Sequence, residues 1–150
     1  MSEATRTTET TDKAEKKEPT RLEPPESDAG RPFWEATREG RLVLPWCTVC
    51  QQPFWYPREV CPSCLGSEVI EWRDATGRAT VYAVTVEHSP QTRALEAPYA
   101  VALVELDEGP RLLTNVVGVP ADEVAVGDKV QVTWEPLTDG RQLPLFTPIE

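Results

Sequence analysis

Apolar and polar positions change their rhythm twice along this chain. Residues 1–30 show no periodicity, with Met1, Ala4, Ala14, Leu22 and Ala29 as their apolar residues among eight acids and five bases. Such a stretch cannot bury enough surface to offset its ordering entropy, so it is expected to be a disordered polar tail or a tether for a partner. Pro32 then suits the first turn of a short helix, where its missing N–H costs nothing. Phe33 to Glu39 continue that helix and Gly40 stops it. Arg41 to Leu44 reads as a strand leading to a first pair of cysteines.

From residue 73 the period becomes two. Ala79 to His88 is β-prone, with Tyr82, Val84, Val86 and His88 expected on one face and Val81, Ala83, Thr85 and Glu87 on the other. Tyr99 to Leu106 is nearly continuous apolar, as a fully buried strand would be. Asp107-Glu108-Gly109-Pro110 is a turn, and Arg111 to Val117 returns as its hairpin partner. Pro120 to Val126 allows one helical turn. Lys129 to Glu135 alternates, with Val130, Val132 and Trp134 inward. Asp139-Gly140 is a hairpin signal, and Leu143 to Phe146 closes the set with Pro144 marking an edge. The fold class is therefore mainly β. The expected organisation is a tail over 1–30, a helix plus zinc ribbon over 31–72, and a five-stranded OB-fold barrel over 73–150.

Composition narrows the function. The formal charge is −10. A protein that neutralises a nucleic-acid backbone needs a dense Lys/Arg surface, and acids outnumber bases here. A nucleic-acid-binding zinc-ribbon/OB module is therefore the lesser alternative. No run approaches the ~20 apolar residues of a membrane span. Met1 to Thr20 lacks the apolar stretch of a secretory signal, which points to the cytoplasm.

That compartment decides how the cysteines read, because disulfides are disfavoured there. Cys47, Cys50, Cys61 and Cys64 have the spacing C-x2-C-x10-C-x2-C. Two intervening residues let both sulfurs of a pair turn toward one point, and two such knuckles supply a tetrahedron of thiolates. Zinc fits, and four protein ligands leave no open position for water, so the site is structural. The competing readings are a rubredoxin-like iron site in an electron carrier and a redox-active pair.

Phe33, Trp34, Trp46, Phe54, Trp55 and Tyr56 crowd six of the eleven aromatics into 24 residues. A 40-residue module cannot bury so many rings alone, which marks Phe33, Trp34 and Trp55 as candidates to face a partner or the neighbouring barrel. Catalytic signals are sparse. His88 is the lone histidine, and adjacent Ser89 points to the opposite face of a strand. Glu105, Asp107 and Glu108 sit at a strand end and turn, where charges are ordinary. The chain reads as a binding or scaffold protein whose catalytic role, if any, depends on a partner.

Several ordered motifs together resemble one family. They are Pro32-Phe33-Trp34-Glu35, Gly40-Arg41-Leu42, Cys47-x-x-Cys50, Pro57-Arg58 and Cys61-Pro62-x-Cys64. In the second half they are Gly77 to Tyr82, Thr85 to His88, Val104 to Gly109 and Gly127 to Val130. Over residues 31–150 the chain is similar to the acyl-CoA-associated zinc-ribbon/OB-fold proteins known as domain of unknown function 35. The resemblance implies an accessory subunit of a thiolase-superfamily enzyme, with chemistry on the partner. That partner would be a lipid-transfer-protein-like aldolase of steroid or related side-chain degradation. A second form of the role would bridge a thiolase and a hydroxymethylglutaryl-CoA synthase. Some relatives are fused to a MaoC-like hydratase, so here a hydratase would be a separate chain. Acyl-CoA would be met through the complex, and Arg73, Arg78, Arg93 and Arg111 are the candidate contacts to its phosphates.

Overall fold

The computed structural model describes residues 21–89 and 95–150. Helix α1 (Arg31–Arg38) has proline in its first turn, and Gly40 leaves it in the left-handed region at φ 69°. Positions 33, 36 and 37 share one helical face, so Phe33, Ala36 and Thr37 are buried together. Thr37 is not orphaned there. Its hydroxyl donates to the Trp34 carbonyl at 2.7 Å and accepts from the Gln142 N–H at 3.2 Å.

A small antiparallel sheet follows, built from β1 (Val43–Cys47), β2 (Gln52–Pro53) and β3 (Ile70–Asp74) in the order β2-β1-β3. The expected strand at Arg41 to Leu44 is thus shifted toward the cysteines. β3 has no strong apolar alternation of its own, and its pairing with all of β1 makes it a strand.

The remaining strands are β4 (Arg78–Glu87), β5 (Tyr99–Leu106), β6 (Arg111–Val116), β7 (Lys129–Pro136) and β8 (Gln142–Pro148). They close a barrel in the order β4-β5-β6-β8-β7, with β7 pairing back to β4. A 3-10 turn at Ala121–Glu123 is the brief helical interruption.

Three details differ from simple periodicity. A bulge between Val81 and Ala83 changes the parity of β4. Ala79 and Val81 point inward before it, while Val84 and Val86 pack against the core after it. Second, β5 is buried on one face only, at Ala100, Ala102, Val104 and Leu106. Third, Pro144 lies at no open edge, because β8 sits between β7 and β6. The β6–β8 seam has the single bridge Val116↔Phe146, and there the Pro144 carbonyl accepts a bond from Thr114 Oγ1 at 3.1 Å. A strand position at a sparsely paired seam tolerates a residue without an N–H.

One core serves both modules. Phe33, Ala36 and Leu42 to Leu44 belong to the same buried cluster as Val81, Val104, Val130 and Phe146. The N-terminal part also corrects an expectation. Residues 21–30 are not a free tail but a strap across the barrel. Arg21 Nε donates to Glu135 at 2.7 Å, the Thr138 N–H donates to Glu23 at 2.6 Å, and Arg141 Nη1 donates to the Pro24 carbonyl at 2.9 Å. Residues 1–20, the rest of that expected tail, lie outside the described residues.

Candidate metal centre and the surfaces around it

The metal site grows from two similar turns. After Cys47 the chain turns so that the Gln51 N–H donates to the Cys47 carbonyl at 2.9 Å, with Gln51 at φ 54°. After Cys61 it repeats, with the Leu65 N–H donating to the Cys61 carbonyl at 2.9 Å and Leu65 at φ 63°. Each turn aims backbone N–H groups at sulfur: Cys50 N–H to Cys47 Sγ at 3.3 Å, and Ser63 N–H to Cys61 Sγ at 3.4 Å. The second turn is tight. A Cβ on Gly66 would stand 2.8 Å from Val69 Cγ2.

The four sulfurs lie within 4.8 Å of one another, with Cys47–Cys64 at 3.7 Å and Cys50–Cys61 at 3.8 Å. A tetrahedron of zinc–sulfur bonds near 2.3 Å has sulfur–sulfur edges of about 3.8 Å, so the donor set fits zinc. Cys47 and Cys61 are buried, Cys50 is half-buried and Cys64 is exposed. The thiols ionise unequally before metal enters. The Cys64 N–H leads in lowering Cys61 to about 6, whereas a hydrogen bond with Cys64 and burial raise Cys50 to about 12. Bound zinc ionises its thiol ligands outright and removes this inequality.

The aromatic candidates are placed as follows. Phe33 is 4% exposed and belongs to the core, so of its two expected placements, against a partner or against the neighbouring barrel, the described residues show the barrel. It meets Trp34 edge-on at 5.0 Å and Trp55 at 5.1 Å. Trp34 and Trp55 are partly buried against the core. With Tyr56, Leu112, Leu113 and Leu143 they line a groove of about 370 Å³. Its floor is barrel, and this is how so small a module accommodates its rings.

Among the described residues, Arg73, Arg78 and Arg111 each have different neighbours. Arg73 on β3 pairs with Glu71 and lies over the Trp46 ring at 4.3 Å. Arg111 on β6 lies over the Tyr82 ring at 3.5 Å and donates to Glu105 at 2.8 Å. Arg78 lines a hollow with Lys129, Asp107 and Glu150. Arg93 lies outside the described residues. His88 Nε2 stands 3.8 Å from Asp122 at the surface, both side chains well exposed.

Sequence reading missed the Arg141 hub. Its guanidinium is 5% exposed, donates to Asp139 at 2.6 Å, reaches the Pro24 carbonyl and lies 4.8 Å from the Trp34 ring. Its one local signal is the Asp139-Gly140-Arg141 turn, because its other partners are more than 100 residues away. No helix among the described residues is long and apolar enough to cross a membrane.

Comparison with known proteins agrees with this architecture. Residues 34–71 match the family model described as the ChsH2 rubredoxin-like zinc ribbon domain, and residues 72–135 match that of the ChsH2 C-terminal OB-fold domain. A probable enoyl-CoA hydratase alpha subunit of Thermomonospora curvata is 41% identical over 117 residues, 77% of this chain and 36% of the relative. A DUF35 domain-containing scaffold protein of Methanothermobacter thermautotrophicus is 30% identical over 89 residues, 59% of this chain and 67% of the relative. This chain thus spans about a third of the hydratase subunit and two thirds of the scaffold protein. The solved structure described as "Ltp2-ChsH2(DUF35) aldolase" superposes with a TM-score of 0.77 at 36% identity, covering 84% of this chain and 98% of that one. A Sulfolobus solfataricus DUF35 protein of unknown function, 20% identical with a TM-score of 0.61, shares the fold over 82% of this chain and 87% of its own. By fold, cysteine geometry and these matches, the chain belongs to the DUF35 family of zinc-ribbon/OB-fold proteins.

Proposed function

We propose that this chain is a non-catalytic accessory subunit of a thiolase-superfamily enzyme acting on acyl-CoA thioesters, in the form of a retro-aldolase of steroid or related side-chain degradation. One observation carries the reading: the chain covers 98% of its counterpart in the structure described as "Ltp2-ChsH2(DUF35) aldolase", at 36% identity. The hydratase relative, whose description names a CoA thioester enzyme, supports the same substrate class. On this reading zinc is structural, and the ribbon and barrel present a shaped surface to the subunit that does the chemistry. Arg73 and Arg111 are engaged by their own carboxylates and Arg78 shares its hollow with two acids. Contact with CoA phosphates is therefore assigned to the assembled complex. A second reading is a scaffold, expected to bridge a thiolase and a hydroxymethylglutaryl-CoA synthase; its support is that the Methanothermobacter relative is described as a scaffold protein.

The test is purification of the tagged chain from its native host with mass spectrometry of what co-elutes. A near-stoichiometric thiolase-superfamily subunit is expected, and the pair should cleave a β-hydroxyacyl-CoA that neither chain cleaves alone. Recovery of two enzymes, a thiolase and a synthase, would favour the scaffold reading. Recovery of neither overturns both.

A further inference from the structure

The four cysteines share one site but not one environment. Cys47 and Cys61 open their knuckles, are buried, and each has a backbone N–H bonded to its sulfur. Cys64 is exposed, and among the described residues no backbone N–H is bonded to its sulfur. The local turn uncovers it. Leu65 leaves the knuckle at φ 63° with its side chain 74% exposed. Gly66 leaves empty the place where a Cβ would stand 3.6 Å from Cys64 Sγ.

With zinc bound all four sulfurs are thiolates. A buried thiolate that accepts an N–H shares its charge with the donor and is screened from solutes. Oxidation of cysteine follows thiolate character and exposure together, so exposure selects Cys64 here. Charge narrows the oxidant. Four thiolates around a divalent ion carry a net charge of about −2, on a chain of −10. An anionic oxidant is repelled by that field, whereas a small neutral hydroperoxide is not.

We propose that Cys64 is an oxidation site for hydroperoxides with Cys47 as its resolving partner, which makes the ribbon a redox-sensitive clasp on the whole chain. With hydrogen peroxide, Cys64 Sγ attacks one oxygen. The S–O bond forms, the O–O bond breaks and hydroxide leaves. Cys47 Sγ lies 3.7 Å from Cys64 Sγ and attacks the resulting sulfenic sulfur. The S–S bond forms, the S–O bond breaks and a second hydroxide leaves. Two thiolates are oxidised by two electrons in total, one peroxide is reduced, and two protons from solvent convert the hydroxides to water. The disulfide takes one ligand from each knuckle. Cys50 and Cys61 remain, too few for a structural zinc site. Cys47 ends β1, whose Val43 and Leu44 lie in the shared core, so loss of the metal reaches the barrel. A thiol reductant with zinc reverses the change. The device does not depend on which enzyme the chain serves.

The experiment treats the zinc-loaded full chain with hydrogen peroxide. Zinc release is followed with a chromogenic chelator, and free thiols and disulfides are mapped by mass spectrometry. Zinc release in step with a Cys47–Cys64 disulfide is expected, and a thiol reductant plus zinc should restore the site. A brief peroxide pulse with dimedone, which traps sulfenic acids, should label Cys64 ahead of the other three cysteines. Cys64→His keeps a zinc ligand without a thiol and should release zinc at least roughly tenfold more slowly than the wild type, while Cys50→His should stay within about twofold of it. If Cys64→His does not load zinc, the dimedone pulse on the wild type decides the site. Earlier labelling of another cysteine, or equal slowing by Cys50→His, overturns the assignment of Cys64. A Cys61–Cys64 disulfide overturns Cys47 as the resolving partner. Zinc release no faster with peroxide than in buffer overturns the clasp.

Discussion

Gly66 shows how much a single position controls. The turn after Cys61 closes with the Cys61 N–H bonded to the Gly66 carbonyl at 2.9 Å, and a methyl group there would press into Val69. Gly66→Ala should destabilise the zinc-loaded chain by about 1–3 kcal/mol, the usual cost of overpacking a tight site. Urea unfolding at fixed zinc checks this, and an unchanged midpoint would remove the argument. Asp139 is the corresponding position in the barrel. The Arg141 N–H, ahead of its guanidinium, holds the Asp139 carboxyl below its usual range. A carboxyl with a lowered folded-state pKa contributes stability in full above its ordinary value and loses it as pH falls through the lower one. Asp139→Asn should therefore lose less stability than the wild type on acidification below that ordinary value. Matching acid-unfolding slopes for the two proteins would contradict it.

At the scale of elements, the strap within residues 21–30 adds a sixth segment to the five strands of the barrel, though it is neither helix nor strand. It is held by polar bonds, while Leu22 stays 90% exposed. Glu23→Ala should leave the Thr138 amide without its 2.6 Å acceptor. That amide should then exchange with deuterium faster, with little change in the thermal midpoint, because exposed hydrogen bonds contribute about 1 kcal/mol. Unaltered exchange at Thr138 would mean the strap contact is absent in solution. The β4 bulge has larger consequences, since one extra residue reverses which side chains face the core. It is why Tyr82 and Ala83, neighbours in sequence, are both exposed.

For the whole molecule the decisive fact is the shared core. Phe33 and Leu42 to Leu44 pack with Val81, Val130 and Phe146 in one cluster, so the ribbon is not an independent bead. Chelating the zinc frees the ribbon that carries β1, and structural zinc in small modules contributes folding energy directly. Zinc removal should lower the melting temperature of the whole chain in one transition, followed together by calorimetry and by the fluorescence of its five tryptophans. Two separate transitions, with the barrel melting unchanged, would refute a common core.

What was legible in the sequence was what short-range chemistry sets. The C-x2-C knuckles, the proline-started and glycine-stopped helix, and the two-residue alternation of β7 depend on neighbours within a few positions, and all appear in the structure. The resemblance to one family followed from the same ordered motifs. Tertiary structure decided the rest. It turned Phe33 inward because the barrel offered an apolar floor, made β3 a strand by pairing it with β1, and tied Pro24 to Arg141 across 117 residues. Such contacts join polar or irregular residues that carry no periodicity, so no local pattern announces them. The outward apolar positions of β5 lie between these cases: their composition was plain in the sequence, but only the closed barrel revealed that the described residues bury them in part while burying the inward set fully.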